Sequence, residues 1–421
     1  MHNIQLAATQ VVQQVMVDGR NLNQVLDESL RRKSVWTPAQ RAALQDICYG
    51  TLRFYGQLNA VLDRLLHKHM TDKRITYLLL VALYQLQYTR AAKHAVVDHA
   101  VRSADMLNPK IRGLVNAILR NFLRKGADLL AQAELDPEGR YSHQQWWIDE
   151  LHAQYGERAA AILDAGNGHP PMTLRVNCRQ GSFAQYLAQL SDAGIEAGVI
   201  EPDALKLEKP VPVDRLPGFF AGLVSVQDAG AQHAARLLDV EDGMRVLDAC
   251  SAPGGKAAHL LELADVELVA LDKDEGRLAR VAENLSRLKL QAMLVLGDAA
   301  LPAGWWDGKP FDRILADVPC SASGVVRRHP DIKWLRRRKD IAAFSEQQKA
   351  ILQSLWSQLK PQGKLLYATC SVFNQENQAV VDDFLTKNAN ARQLPVGIQA
   401  GQLLPCDQHD GFFYALLQKT A

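Results

Sequence analysis

Two cysteines stand at the ends of short apolar runs. Asp317-Val-Pro-Cys320 follows Arg313-Ile-Leu-Ala316 and precedes Ser-Ala-Ser-Gly324. This pattern reads as a buried strand that ends in a tight proline-containing loop. About fifty residues later the run Lys364-Leu-Leu-Tyr-Ala368 ends in Thr369-Cys370-Ser371. Each strand end thus delivers one thiol, and the first also delivers a carboxylate three residues earlier. A thiolate is an accessible nucleophile near neutral pH, so the pattern suits covalent catalysis. Open α/β sheets bind their ligands at the carboxyl ends of strands, where these groups fall. Any single cysteine is more often a small buried hydrophobe, and that reading is kept for Cys48, Cys178 and Cys406.

The elements that must hold these groups follow from periodicity. From Asp228 onward, strand and helix patterns alternate. Strands are expected at 245–249, 267–272, 292–296, 313–317, 364–369 and near 412–417, with helices at 256–263, 275–289, 342–359 and 375–387. Such alternation implies a parallel sheet with helices on both faces.

The first of these strands runs into Asp248-Ala-Cys250-Ser251-Ala252-Pro253-Gly254-Gly255-Lys256. A Gly-rich loop that opens a helix lets a ligand approach the backbone, and the helix start favours an anionic group. The spacing is neither G-x-G-x-x-G nor G-x-x-x-x-G-K-[ST], so neither a dinucleotide site nor a P-loop fits. The next strand ends in Asp272, placed to bind ribose hydroxyls. The one after it ends in Gly297-Asp298, where a carboxylate can accept from an adenine amine. Each aspartate alone would read as a turn or cap residue; loop, acid and acid on three successive strands describe an adenosyl pocket.

The rest of the chain sets the context. Its 421 residues allow two or three domains, and 48% apolar with 22% charged residues is ordinary for a globular protein. No apolar run approaches the length of a membrane helix, and the first residues lack the pattern of a secretory signal. The six cysteines are scattered with no C-x-x-C pair, so no metal site is suggested and a reducing cytoplasm is expected. Residues 1–140 read as all helical, with helix starts at Thr37-Pro38 and Asn108-Pro109. They carry 19 Lys and Arg against 12 Asp and Glu, on a chain whose net charge is only +2. That excess fits a polyanion partner or simply a well-solvated helical surface. The segment 111–124 pairs an apolar stripe with a basic face, which fits a core-facing helix or one lying on RNA phosphates. Asp136-Pro137-Glu-Gly139 marks a boundary. Residues 141–228 read as a small α/β connector, an RNA-binding module in this reading, and 229–421 as the catalytic domain. Arg327, Arg328, His329, Lys333, Arg336, Arg337, Arg338 and Lys339 form a dense basic run beside the Pro-Cys loop, suited to gripping phosphates.

Taken together, Asp248–Lys256, Asp317–Gly324 and Tyr367-Ala-Thr-Cys-Ser371 resemble the S-adenosylmethionine-dependent RNA cytosine-5 methyltransferases. Arg327-Arg-His-Pro-Asp-Ile-Lys-Trp334 and the helical N-terminal third narrow the resemblance to the bacterial 16S ribosomal RNA branch, whose N-terminal domain is similar to the antitermination factor NusB. The resemblance spans essentially the whole chain; Val318 stands where the family often has Ala. It implies a class I, Rossmann-like methyltransferase domain preceded by an α/β connector and an all-α NusB-like, RNA-binding domain. It implies S-adenosylmethionine held by Cys250, Ser251, Ala252, Pro253, Gly254, Gly255, Lys256, Asp272, Asp298 and Asp317. In catalysis it makes Cys370 the nucleophile at carbon 6 of cytosine and Cys320 the thiol that assists product release. Asp317 would hydrogen-bond the base, and Lys256 would orient these groups. Arg327, Arg328, Arg336, Arg337 and Arg338 would bind 16S rRNA; neither a metal nor an oligomer is implied, so a monomer is expected. Two readings compete: the same chemistry on another ribosomal site or on transfer RNA, and a non-catalytic RNA-binding or antitermination factor. The intact Asp317, Cys320, Cys370 and Gly-Gly-Lys argue against the second.

Overall fold

The structure, a computed structural model, describes residues 2–33, 36–66, 68, 70–200 and 204–420. It divides into two compact units: Met1–Gly168 with Val326–Arg338, and His169–Val325 with Lys339–Ala421.

The first unit is helical throughout: α1 (His2–Asp18), α2 (Leu22–Arg32), α3 (Pro38–Arg53), α4 (Tyr55–Leu65), α5 (Lys73–Tyr88), α6 (Lys93–Leu107), α7 (Arg112–Ala133), α8 (Pro137–Tyr141), α9 (Gln145–Tyr155) and α10 (Ala159–Asn167). Local chemistry starts these helices. Thr37 and Gln40 form a reciprocal capping box ahead of Pro38, and Asn21 and Asp72 cap α2 and α5. In α5 every residue from Tyr77 to Leu86 is buried. A helix apolar on all sides belongs at the centre of a bundle, and α1, α3, α4, α6 and α7 pack around it. The segment Val326–Arg338 folds into this unit. Asp331 accepts from the backbone of Leu22 at 3.0 Å, and Trp334 donates to the carbonyl of Leu52 at 2.8 Å.

The second unit holds two sheets. Strands β1 (Thr173–Val176), β2 (Ala197–Ile200), β3 (Ala204–Leu207) and β4 (Val224–Val226) form an antiparallel sheet in the order β2-β3-β1-β4. Helix α11 (Phe183–Asp192) packs on it through Tyr186 and Leu190.

The larger sheet contains β5 (Arg245–Asp248), β6 (Glu267–Asp272), β7 (Met293–Leu296), β8 (Phe311–Asp317), β9 (Leu359–Thr369), β10 (Ala391–Leu394), β11 (Gln402–Leu403) and β12 (Phe412–Lys419). Its order is β10-β12-β9-β8-β5-β6-β7, with β11 on β12. Around it run α12 (Ala229–Leu238), α13 (Gly255–Leu263), α14 (Glu275–Leu288), α15 (Arg338–Ser357) and α16 (Gln378–Lys387). Side chains alternate between faces: Leu247, Val269, Leu271 and Ile314 enter one core, Val246, Leu268, Ala270 and Leu315 the other. The sheet is parallel only from β7 to β9. Strand β12 runs antiparallel to β9, and β10 and β11 pair antiparallel with β12. This corrects the wholly parallel expectation, because apolar periodicity carries no strand direction. Chain order reverses on either side of β5, which sits between β6 and β8. That reversal opens a crevice at the carboxyl ends of these strands.

Among the described residues no helix is long and apolar enough to cross a membrane.

Candidate active site

The two thiols meet because their strands are neighbours in register. In the parallel pair β8 and β9, Asp317 lies opposite Ala368, and the Val318 N–H donates to the Ala368 carbonyl at 3.1 Å. The chains leave the sheet side by side, and the sulfurs of Cys320 and Cys370 lie 3.4 Å apart. Both cysteines are free and partly exposed. The loop after Cys320 is held against the one after Cys370. The Gly324 N–H donates to the Cys370 carbonyl at 2.8 Å, and a Cβ on Gly324 would meet the Gly411 carbonyl at 2.4 Å. No side chain fits there. The hydrogen bond it shares with Cys370 raises the Cys320 thiol well above its ordinary range, and burial raises it further.

Helix α13 brings Lys256 to the same place. Gly254 has φ of 94°, a left-handed turn between strand and helix, and a Cβ there would press Val281 of α14 at 3.1 Å. One residue into the helix, Lys256 donates to Asp317 in a short ion pair. Burial opposes the Lys256 charge, but the Asp317 carboxylate outweighs it and holds the ammonium above its usual pKa. Beneath them Asp248, 1% exposed, is pushed up to about 7 by burial and then by the Asp317 charge.

The crevice continues past Cys250 and Ala252 to Asp272 and Asp298. Asp272 accepts from the backbone of Ala252 at 3.2 Å, so it anchors the Gly-rich loop as well as ending its strand. Asp298 accepts from the Ala300 N–H at 2.9 Å. Ser251 is buried, with its N–H on the Leu271 carbonyl at 2.9 Å, and Pro253 lies in the same turn. Burial raises the Cys250 thiol, which suits a wall of the site better than a reactant. The fit to an adenosyl sulfonium donor is concrete. Cys250 and Ala252 of the Gly-rich turn line the cleft, carboxylates stand at two further strand ends, and the thiols lie at its far end. Among the described residues no group of three or more His, Cys, Asp or Glu is placed to hold a metal ion.

The basic run is not the uniform outer strip that its composition suggested. Arg327 is 3% exposed and Lys333 is fully buried within the helical unit. Lys333 donates to the Arg53 carbonyl at 2.7 Å and to Asn167 at 2.6 Å. Burial, and then the Arg53 guanidinium, holds its pKa well below the usual lysine range. Arg328 and Arg336 are half-buried, while Arg337 and Arg338 are exposed, Arg338 reaching Glu150 at 3.0 Å. A run of like charges does not reveal which members turn inward to satisfy carbonyls. Two further features escaped sequence reasoning: the buried pair Arg175–Glu262, and Glu376 beneath the thiol loops. Neither leaves a local pattern.

The model described as 16S rRNA methyltransferase RsmB/F matches residues 235–418, a ferredoxin-like domain of the RsmF/B-like methyltransferases matches 143–214, and the NusB family matches 2–124. The chain is 46% identical to ribosomal RNA small subunit methyltransferase B of Vibrio cholerae, over 99% of this chain and 98% of that one. A crystal structure of a methyltransferase homolog protein from Pyrococcus horikoshii shares 27% identity, with a TM-score of 0.60 over 69% of this chain and 98% of that one. The crystal structure of PH0851 shares 23% identity and the fold, with a TM-score of 0.79 over 99% of each chain.

Proposed function

The chain belongs to the 16S rRNA methyltransferase RsmB/F family, and from that membership we propose that it methylates carbon 5 of cytosine 967 of 16S rRNA, in the cytoplasm, through a covalent cysteine adduct. Its donor is S-adenosylmethionine, which supplies an electrophilic methyl group on a sulfonium. Residues Cys250–Lys256, Asp272 and Asp298 are the groups that would hold it.

Carbon 5 of cytosine is a poor nucleophile until carbon 6 carries an added group. The Cys370 thiolate adds at carbon 6, forming an S–C6 bond and pushing the ring electrons toward carbon 5. Asp317 hydrogen-bonds the ring and favours its protonated, activated form, and Lys256 fixes that carboxylate. After methylation, a water molecule takes the carbon 5 proton, the freed electron pair restores the C5–C6 double bond, and S–C6 breaks. Cys320, held as a neutral thiol 3.4 Å from the departing sulfur, assists by returning a proton to it. Covalent addition thus divides one hard step into easier ones.

The observation that carries this reading is the pair of free thiols in contact beside the Lys256–Asp317 pair. The base must be unpaired or flipped to reach them. Mapping of 5-methylcytosine in 16S rRNA from a deletion strain tests the target. Loss of the mark at cytosine 967 alone is expected. Retention of that mark, with loss at another ribosomal or transfer RNA site, overturns the assignment.

A further inference from the structure

Beneath the two thiol loops lies a carboxylate that the mechanism above does not use. Glu376, in the short turn after β9, is 0% exposed. It accepts from the Ser321 N–H at 2.7 Å, the Ser321 hydroxyl at 2.5 Å, the Ser371 hydroxyl at 2.6 Å and the Gln348 amide at 3.3 Å. Ser321 directly follows Cys320, and Ser371 directly follows Cys370. Gln348 also donates to the Pro319 carbonyl at 2.9 Å, on the other side of Cys320. The Tyr367 hydroxyl of β9 fixes the Glu376 backbone by donating to its carbonyl at 2.6 Å. Burial raises the Glu376 carboxyl, while the Ser321, Ser371 and Gln348 bonds converging on it favour its ionised form.

We propose that Glu376 is a positioning residue for this reaction: one buried carboxylate binds the residue after each active-site thiol and thereby sets the separation of the two sulfurs. Strand register brings the two loops alongside each other, and a shared acceptor fixes the residue after each thiol. Charge gives a second role. The bond shared with Cys370 and burial raise the Cys320 thiol most, and the Glu376 charge adds to them. The carboxylate therefore adds to what keeps Cys320 protonated, whereas Lys256 stands on the other side, close enough to interact with Cys370.

The proposal rests on the two-thiol reading, so its test includes a measurement that needs no RNA. Glu376→Gln preserves shape but removes the charge and replaces one acceptor by a donor. It is expected to lower kcat by roughly 10- to 100-fold, as misplaced reacting groups do, with KM for RNA and donor affinity held within about twofold. In RNA-free protein, alkylation of Cys320 by iodoacetamide is expected to shift to lower pH. An unchanged kcat, or an unchanged alkylation profile in a folded variant, overturns the proposal. Should Glu376→Gln fail to fold, Ser321→Ala retains the charge and removes one hydroxyl tie. It is expected to lower kcat by about 10-fold without moving the alkylation profile; full activity in this variant would equally overturn the proposal. A normal alkylation shift in a protein that forms no RNA adduct would instead count against the covalent reading and leave the role of Glu376 standing.

Discussion

Arg175 donates to both carboxylate oxygens of Glu262, at 2.8 and 2.7 Å, and the two side chains are 3% and 1% exposed. The same guanidinium donates to the Gly255 carbonyl at 2.7 Å. Strand β1 of the smaller sheet is thereby bonded to the loop and helix that frame the donor cleft. Removing one partner leaves an uncompensated buried charge. Glu262→Gln is expected to cost about 3–5 kcal/mol in urea unfolding. A loss below about 1 kcal/mol would show that the surroundings already neutralise Arg175.

Asp248 gives a pH signature. Its carboxyl rises from an ordinary 3.8 to about 7 on folding, so between these values the folded state holds a proton that the unfolded state has released. Stability from this group is present at low pH and is lost as pH climbs through about 7. The full effect is roughly 4 kcal/mol at about 1.36 kcal/mol per unit. Asp248→Asn is therefore expected to raise the melting temperature more at pH 8 than at pH 5. Equal shifts at both values would contradict the buried, proton-binding carboxylate.

The Lys256–Asp317 pair should matter to turnover more than to folding. Lys256→Met is expected to lower methyl transfer about 100-fold, the scale of a misplaced acid–base group, while the protein melts within a few degrees of the parent. Tritiated-methyl incorporation into 16S RNA reads this directly. Activity within about threefold of the parent would remove Lys256 from the machinery.

The basic segment separates into two kinds of charge. Exposed Arg337 and Arg338, replaced together by Ala, are expected to weaken RNA binding and flatten its salt dependence by roughly one to two units of slope. Buried Lys333 acts through carbonyls instead: Lys333→Met leaves Arg53 and Asn167 without their donor and is expected to cost about 2 kcal/mol of stability. An unchanged salt slope in the first variant, or an unchanged unfolding midpoint in the second, would contradict this division.

Much of the cleft's geometry was legible in the chain, for a local reason. Asp317, Cys320, Cys370, Asp272 and the Gly254 turn sit where an apolar strand pattern stops, and parallel strands stop together. Short strands such as β2 and β10 were not legible, since their residues are half-exposed and lack alternation. The direction of β12 was set by its hydrogen bonds to β9, which periodicity does not encode. Arg175, Lys333 and Glu376 find partners dozens to hundreds of residues away, so only the folded chain reveals them.

The most direct test of the central claim traps the adduct. Cys320→Ala and Cys370→Ala proteins are each incubated with 16S RNA and S-adenosylmethionine, and covalent protein–RNA complex is read on a denaturing gel. Complex is expected to accumulate with Cys320→Ala, because addition proceeds and release fails, and to be absent with Cys370→Ala, which also loses turnover. Accumulation with Cys370→Ala, dependent on Cys320, would reverse the roles of the two sulfurs and contradict the account.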